Sequence, residues 1–240
     1  MFQALNIFNN IISDLSDLVC PRVCLICNNH IKVQTEILIC PECTENLKKV
    51  DSFKKDQNEI LSTVNLADLD FNIEYGCAFL KFDKHENTQR LLHALKYFNQ
   101  PQVAVKMGKI AGYQLKNYSR FNDCDFILPV PMHPDKQKKR GYNQAERISY
   151  GLSQVLNIPI EERILKKIIN TKSQTRMNKI QRKENSQNAY CAQRIEELSK
   201  KHFLIVDDVF TTGATLEVCA EALHKVMPES KISIFALAKA

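Results

Sequence analysis

The sequence predicts an α/β protein: a mostly parallel sheet flanked by helices, with a small metal-binding module near the N-terminus. Three observations carry that prediction. The apolar run Phe203–Val206 ends in Asp207 and Asp208, and a loop of small residues follows, Thr211-Thr212-Gly213-Ala214-Thr215. That loop leads into a helical pattern with Leu216, Cys219, Ala220 and Leu223 on one face. Short apolar runs alternate with helix-period segments from Tyr75 onward, as strand–helix crossovers on a parallel sheet require. Two Cys-x-x-Cys pairs, Cys24/Cys27 and Cys40/Cys43, lie in a segment too small to build its own core.

At 240 residues the chain can bury one core and a small appendage, and its formal charge of +6 is compatible with polyanionic ligands. No apolar run reaches the length of a membrane span, and the cytoplasm is the expected compartment. Residues 1–19 carry an apolar stripe of Phe2, Leu5, Phe8, Ile12, Leu15 and Leu18. They read as an amphipathic helix that packs on the protein or docks a partner. A basic leader and a small-residue cleavage site are missing there, which argues against a signal peptide.

Residues 20–49 read as a four-cysteine, zinc-ribbon-like module. Two knuckles at this separation offer four soft thiolates to one tetrahedral zinc, with a short hairpin expected between His30 and Ile39. Asn28 suits the left-handed position that follows the first knuckle. Disulfides and simple buried thiols are the competing readings, and Cys20 competes with Cys24 for the fourth ligand position. Cys77, Cys124, Cys191 and Cys219 stand among apolar neighbours and read as small buried residues.

Residues 50–73 are polar and mixed in charge, a connector to a domain over 74–240. There a strand is expected from Tyr75 to Phe82, then helices over Asn87–Phe98 and after Pro101. Phe126–Val130 suits a buried parallel strand, and the prolines after it exclude a helical continuation through Pro134. Asn143 can cap a helix running toward Leu156. Strands are expected near Ile164–Ile169, at Phe203–Val206 and at Ile232–Leu237, with the last two flanking the helix that begins near Thr215.

Chemistry concentrates at three places. At the end of the Phe203 strand, the unpartnered N–H groups and positive dipole of a helix start can hold a phosphate. Asp207 and Asp208 would repel that phosphate and suit vicinal sugar hydroxyls or a hydrated divalent cation. Sugar and phosphate together suggest a ribose 5-phosphate. A second segment, after the Phe126 strand, carries Lys136, Lys138, Lys139 and Arg140 against one acid, followed by Gly141, Asn143 and Gln144. It reads as a positive loop, suited to a pyrophosphate or simply solvated. Downstream, residues 170–185 are polar and basic, with Gln174, Arg182 and Asn185. They read equally as a cover over a charged substrate or as a cationic helix face. Among these basic segments Tyr142 is the main aromatic able to stack a base.

The strand, acid pair and loop from Phe203 to Thr215 resemble the phosphoribosyl pyrophosphate (PRPP) motif of type I phosphoribosyltransferases. The resemblance implies ribose binding by Asp207 and Asp208, and phosphate binding by Thr211, Thr212, Gly213, Ala214 and Thr215. The order of four motifs is similar to the ComF family: the cysteine module, Pro129-Val-Pro131 with Arg140-Gly-Tyr-Asn-Gln144, Gln174…Arg182-x-x-Asn185, and the PRPP motif. That similarity implies a type I phosphoribosyltransferase-like fold and a part in DNA uptake during natural transformation. Its implied cofactors are structural Zn2+ and a Mg2+ that arrives with PRPP. Its implied partners are PRPP or another ribose phosphate, single-stranded DNA, and a competence helicase or recombination loader. Arg140 and Arg182 are the candidate catalytic groups. Tyr142 replaces the family's usual Phe, Met177 its usual Leu, and Val226-Met-Pro228 its small glycine-containing turn.

Overall fold

The structure is a computed structural model that describes residues 22–31, 38–50, 70–82, 86–117, 121–169 and 189–240. The expected N-terminal helix, Cys20, most of the 50–73 connector, the hairpin between the knuckles, and Gln174, Arg182 and Asn185 lie outside those residues.

Four strands form one sheet: β1 (Gly76–Lys81), β2 (Phe126–Pro129), β5 (His202–Phe210) and β6 (Lys231–Lys239), in the spatial order β1-β6-β5-β2. All three ladders are parallel. Side chains alternate across the sheet as a two-residue period demands. On β5, Leu204 and Val206 face one apolar cluster, while Phe203 and Ile205 face the other. Both faces are buried, which is why these strands read as continuous apolar runs.

One face is covered by α2 (Asn87–Tyr97), α3 (Pro101–Leu115) and α5 (Gln144–Leu156). The other carries α6 (Ala214–Val226) and a small antiparallel ribbon of β3 (Leu165–Lys167) and β4 (Tyr190–Ala192). A short helix α1 (Pro41–Glu45) opens at Cys40, and α4 (Pro134–Arg140) follows β2. Both outer edges of the sheet are occupied. Beside β1, the amide of Val50 donates to Phe79 and that of Lys81 to Lys48; beside β2, the amide of Ile127 donates to Pro159 and that of Glu161 to Ile127. Such cover removes the unpaired edges that invite aggregation.

Three expectations need correction. The basic stretch expected as a loop is the helix α4. Pro134 stands at its first position, where a missing N–H costs nothing, and the His133 side chain caps it by accepting from the Asp135 amide. The strand expected to stop at Val206 continues to Phe210, so Asp207 and Asp208 lie within it rather than after it. The Ile164–Ile169 strand forms over Leu165–Lys167, outside the main sheet, paired antiparallel to β4.

Helices α3 and α5 approach closely at glycines. A Cβ placed on Gly108 would collide with the Ile148 carbonyl, and one on Gly151 with the Val105 carbonyl. Backbone cannot give way as a side chain end can, so Gly108→Ala is expected to cost about 1–3 kcal/mol through overpacking. Gly112→Ala should cost less, because it meets only the Val155 side chain. Urea unfolding of both variants checks this, and equal midpoints for Gly108→Ala and the parent protein would contradict it.

Candidate functional site

The C-terminal ends of β5 and β2 open on a cavity of about 190 Å³ lined by Lys136, Arg140, Lys167, Tyr190, Asp207, Asp208 and Thr215, among others. Open α/β sheets bind ligands at this end of their strands. A smaller pocket adjoins it, formed by Thr211, Thr212, Gly213, Ala214, Thr215 and their neighbours. Asp207 and Thr215 border both spaces.

The smaller pocket is made by backbone. Gly213 is the N-cap of α6 at φ 81°, a left-handed conformation that a β-carbon would strain, and no side chain caps the helix there. The first amides of α6 therefore face the loop without a competing side-chain oxygen, as an anion site needs. The two aspartates sit at its border. The Asp208 amide donates to Asp207 Oδ1 at 2.8 Å, and Lys96 Nζ lies 3.8 Å from Asp208 Oδ2. Burial, then the neighbouring Asp208 charge, pushes the Asp207 carboxyl well above the usual carboxylate range. Hydroxyls or a cation reaching the pair would favour the ionised form of Asp207.

Cations form the opposite wall. Burial lowers the Lys136 ammonium, and the Arg140 charge lowers it further. Burial likewise lowers Lys167, with the Lys136 charge adding to it. Lys167 Nζ lies 2.7 Å from the Tyr190 hydroxyl and 4.5 Å from the centre of that ring. Burial raises the Tyr190 phenol, so it stays protonated. Arg140 is aimed by a relay: it donates to Gln144 Oε1 at 2.9 Å, and Gln144 Nε2 donates to the Leu95 carbonyl at 2.9 Å. The Tyr142 hydroxyl donates to the same carbonyl at 2.6 Å.

The remaining expected residues have structural partners. Asn143 caps α5 by accepting from the Ala145 amide, and its Nδ2 donates to the Val130 carbonyl and to Glu146. Gly141 ends α4 at φ 87° and lies against the Asn99 side chain. Tyr142, the expected stacking aromatic, is 4% exposed and spends its hydroxyl on Leu95. It is therefore a core residue, because the turn after Gly141 points its ring inward. Lys167, Tyr190 and Lys96 were not foreseen. The first two are register partners across the β3–β4 ribbon, separated in sequence by 22 residues. Lys166-Lys167 interrupting the apolar segment Ile164–Ile169 was the local sign.

At the other end of the chain, the Sγ atoms of Cys24, Cys27, Cys40 and Cys43 all lie within 4.8 Å of one another. Cys27 and Cys40 stand 3.8 Å apart, close to the roughly 3.8 Å edge of a tetrahedron with Zn–S bonds of about 2.3 Å. Amides of Ile26 and Cys40 point at Cys24 Sγ, and the Cys43 amide points at Cys40 Sγ. Burial works against a Cys24 thiolate, yet amides of Cys27, Cys40 and Ile26 bring that thiol down to about 7. Asn28 adopts φ 61° as expected of the knuckle. The donor set fits one zinc ion held by four thiolates. The module is fixed to the sheet domain where Arg90 and Lys106 donate to the carbonyls of Ile26 and Ile39.

Comparison with known proteins agrees with this layout. The phosphoribosyl transferase domain family matches residues 138–240. Competence protein F of Haemophilus influenzae is 31% identical over 154 residues, covering 62% of this chain and 67% of the relative. The chain belongs to the ComF family. DNA utilization protein YhgH of Escherichia coli K12 is 28% identical over 137 residues, 55% of this chain and 59% of that protein. Competence protein ComFC of Bacillus subtilis is 27% identical over 120 residues, 49% of this chain and 46% of that protein. The aligned part thus spans less than two thirds of the latter two. Among solved structures, adenine phosphoribosyltransferase from Saccharomyces cerevisiae matches 60% of this chain and 72% of its own, at 14% identity and a TM-score of 0.38.

For a ComF chain, the fold is the expected one: a parallel sheet between helices, with the cysteine cluster on its N-terminal side. No helix among the described residues is long and apolar enough to cross a membrane.

Proposed function

We propose that the chain binds PRPP at the ends of β2 and β5 and serves DNA uptake during natural transformation from the cytoplasm. One observation carries the ligand reading: two adjoining spaces share Asp207 and Thr215 but differ in character. The amide-lined pocket suits a monophosphate. Across the aspartates, Lys136, Arg140 and Lys167 converge on the larger cavity and suit a diphosphate, while Asp207 and Asp208 between them suit the ribose hydroxyls. A ligand with a phosphate at one end and a diphosphate at the other satisfies all three. Mg2+ bound with it would neutralise the diphosphate and share its field with the aspartates. Lys136 and Arg140 would steady the charge that develops if pyrophosphate departs, and the Gln144 relay keeps Arg140 pointed there. The names of the relatives, with their reference to competence and DNA utilization, support the cellular role. A zinc ion on Cys24, Cys27, Cys40 and Cys43 would be structural, since all four positions of its tetrahedron are taken by protein.

Calorimetric titration with PRPP and ribose 5-phosphate, each with magnesium, tests the ligand. PRPP should bind at least about tenfold more tightly, since charge-assisted hydrogen bonds to the second phosphate group contribute about 1.5–3 kcal/mol each. Equal affinities would remove the cationic wall from the reading, and no heat from either ligand would remove the whole of it. Adding a nucleobase panel to the PRPP complex and assaying released pyrophosphate distinguishes transfer from binding alone.

A further inference from the structure

Arg140 and Lys167 are both held on the cavity wall by other side chains, but the two holds differ in kind. Arg140 is aimed by the Gln144 amide, whereas Lys167 is placed by the β3–β4 ribbon. It stands opposite Tyr190 in the ribbon's register, and strand alternation sends the exposed Lys166 to the other side. Lys167 Nζ donates to the Tyr190 hydroxyl at 2.7 Å and lies 4.5 Å from the centre of the ring. Tyr190 is 8% exposed and belongs to the apolar cluster that includes Ile205, Leu216 and Cys219, so its hydroxyl is a fixed point. Lys167 also has competing neighbours: the Lys136 charge repels it and the Asp207 charge draws it. Without a fixed partner, its long flexible stem would let the ammonium turn toward Asp207. Each charge would then cancel the other before a ligand arrived.

We infer that Tyr190 is a positioning residue: it holds Lys167 over the larger cavity, where the ammonium meets the diphosphate, and the pair thereby selects PRPP over ribose 5-phosphate. The inference rests on the ribose-phosphate reading of the site and adds the device that separates those two ligands. The chemistry of the holder decides the matter. A carboxylate in its place would fix the ammonium equally well but would consume its charge. A phenol that burial keeps protonated accepts the hydrogen bond and adds no charge, so the attraction of Lys167 for an anion survives. The ring face contributes to the hold. An ammonium has three N–H donors, and those not given to Tyr190 remain for phosphate oxygens. The Thr215 side chain also reaches the Tyr190 hydroxyl, which defines the rival role: support of the monophosphate pocket that Thr215 borders.

The test is a double-mutant cycle by calorimetry on the full chain: the parent, Tyr190→Phe, Lys167→Met and the two combined. Each is titrated with PRPP and with ribose 5-phosphate in the presence of magnesium. Lys167→Met should weaken PRPP about tenfold and leave ribose 5-phosphate within about twofold of the parent. Tyr190→Phe keeps the ring and removes only the oxygen, so it should weaken PRPP about fivefold and again spare ribose 5-phosphate. Added to Lys167→Met, it should cost nothing further, because a residue that acts through another has no effect once the other is gone. All variants should melt like the parent, which separates lost positioning from lost fold. Should Tyr190→Phe melt lower, Lys167→Met still reads the selection without touching the buried ring. Equal losses for both ligands in Tyr190→Phe would assign it to the Thr215 side and overturn the inference. So would an undiminished effect of Tyr190→Phe in the Lys167→Met background, or a Lys167→Met chain that binds PRPP like the parent. A parent chain that binds neither ligand would remove the ribose-phosphate site and this inference with it, whereas the other outcomes leave that site standing.

Discussion

Asp207→Asn is expected to raise the melting temperature of the ligand-free protein while removing its affinity for PRPP. The two effects share one cause. Burial and Asp208 hold the Asp207 carboxyl above its ordinary pKa, so the folded state keeps a proton that the unfolded chain releases. The sign follows directly: as pH rises above the unfolded value of about 3.9, the unfolded state ionises first and stability falls until the folded carboxyl also ionises. Between the unfolded and the folded pKa the penalty on the native state grows with each step in pH. Asparagine cannot ionise, so the variant should melt higher, by about 2–4 °C for each kcal/mol relieved. Its stability should also lack the decline with rising pH that is expected of the parent above about pH 4. Affinity should move the other way. Replacing both acids, Asp207→Asn/Asp208→Asn, removes charge-assisted bonds to the ribose hydroxyls and should weaken PRPP more than about a hundredfold. A double variant that titrates PRPP like the parent would dispose of the site. A single variant that melts lower would show that the acid pair supports the fold instead of burdening it.

Removing the zinc ion proposed for the cysteine cluster should have the second large effect. Structural zinc sites of this composition bind with about 10–16 kcal/mol at neutral pH, well above the roughly 1.5–3 kcal/mol that each of Ile26, Ile39 and Leu47 contributes by its burial in the shared core. Chelation, or Cys40→Ser, should therefore unfold residues around the knuckles. The damage should extend into the sheet at a defined place. Val50 donates to Phe79 and Lys81 to Lys48, so these two amides should lose hydrogen-exchange protection while those in the middle of β5 keep theirs. Full protection of Lys81 after chelation would show that the sheet edge does not depend on the metal.

The parts of this molecule legible in its sequence are those whose determinants are local. β5 and α6 could be read because four apolar residues, two acids and a small loop lie in consecutive order. Asn143 could be read as a cap because capping reaches only two residues ahead. The cysteine tetrad could be read because a knuckle's spacing is itself its geometry. Where the reading erred, the deciding interaction was either subtle or distant. Pro134 was weighed as a helix breaker, yet its position at the start of α4 made it a helix former. Tyr142 was counted as available for stacking, but an acceptor on α2 claims its hydroxyl. Lys167 and Tyr190 could not have been paired in advance, since only the ribbon's register joins them.

The Leu95 carbonyl receives both Tyr142 and Gln144, and through Gln144 it orients Arg140. Because this acceptor belongs to the main chain, no replacement of the Leu95 side chain deletes it. A genetic screen for chains with impaired anion capture would accordingly detect this contact only through its donors: Gln144→Leu releases Arg140, while Tyr142→Phe, which installs the residue usual in the family, is tolerated. Position 142 would thus look dispensable on a mutational map although its hydroxyl shares the acceptor that aims Arg140.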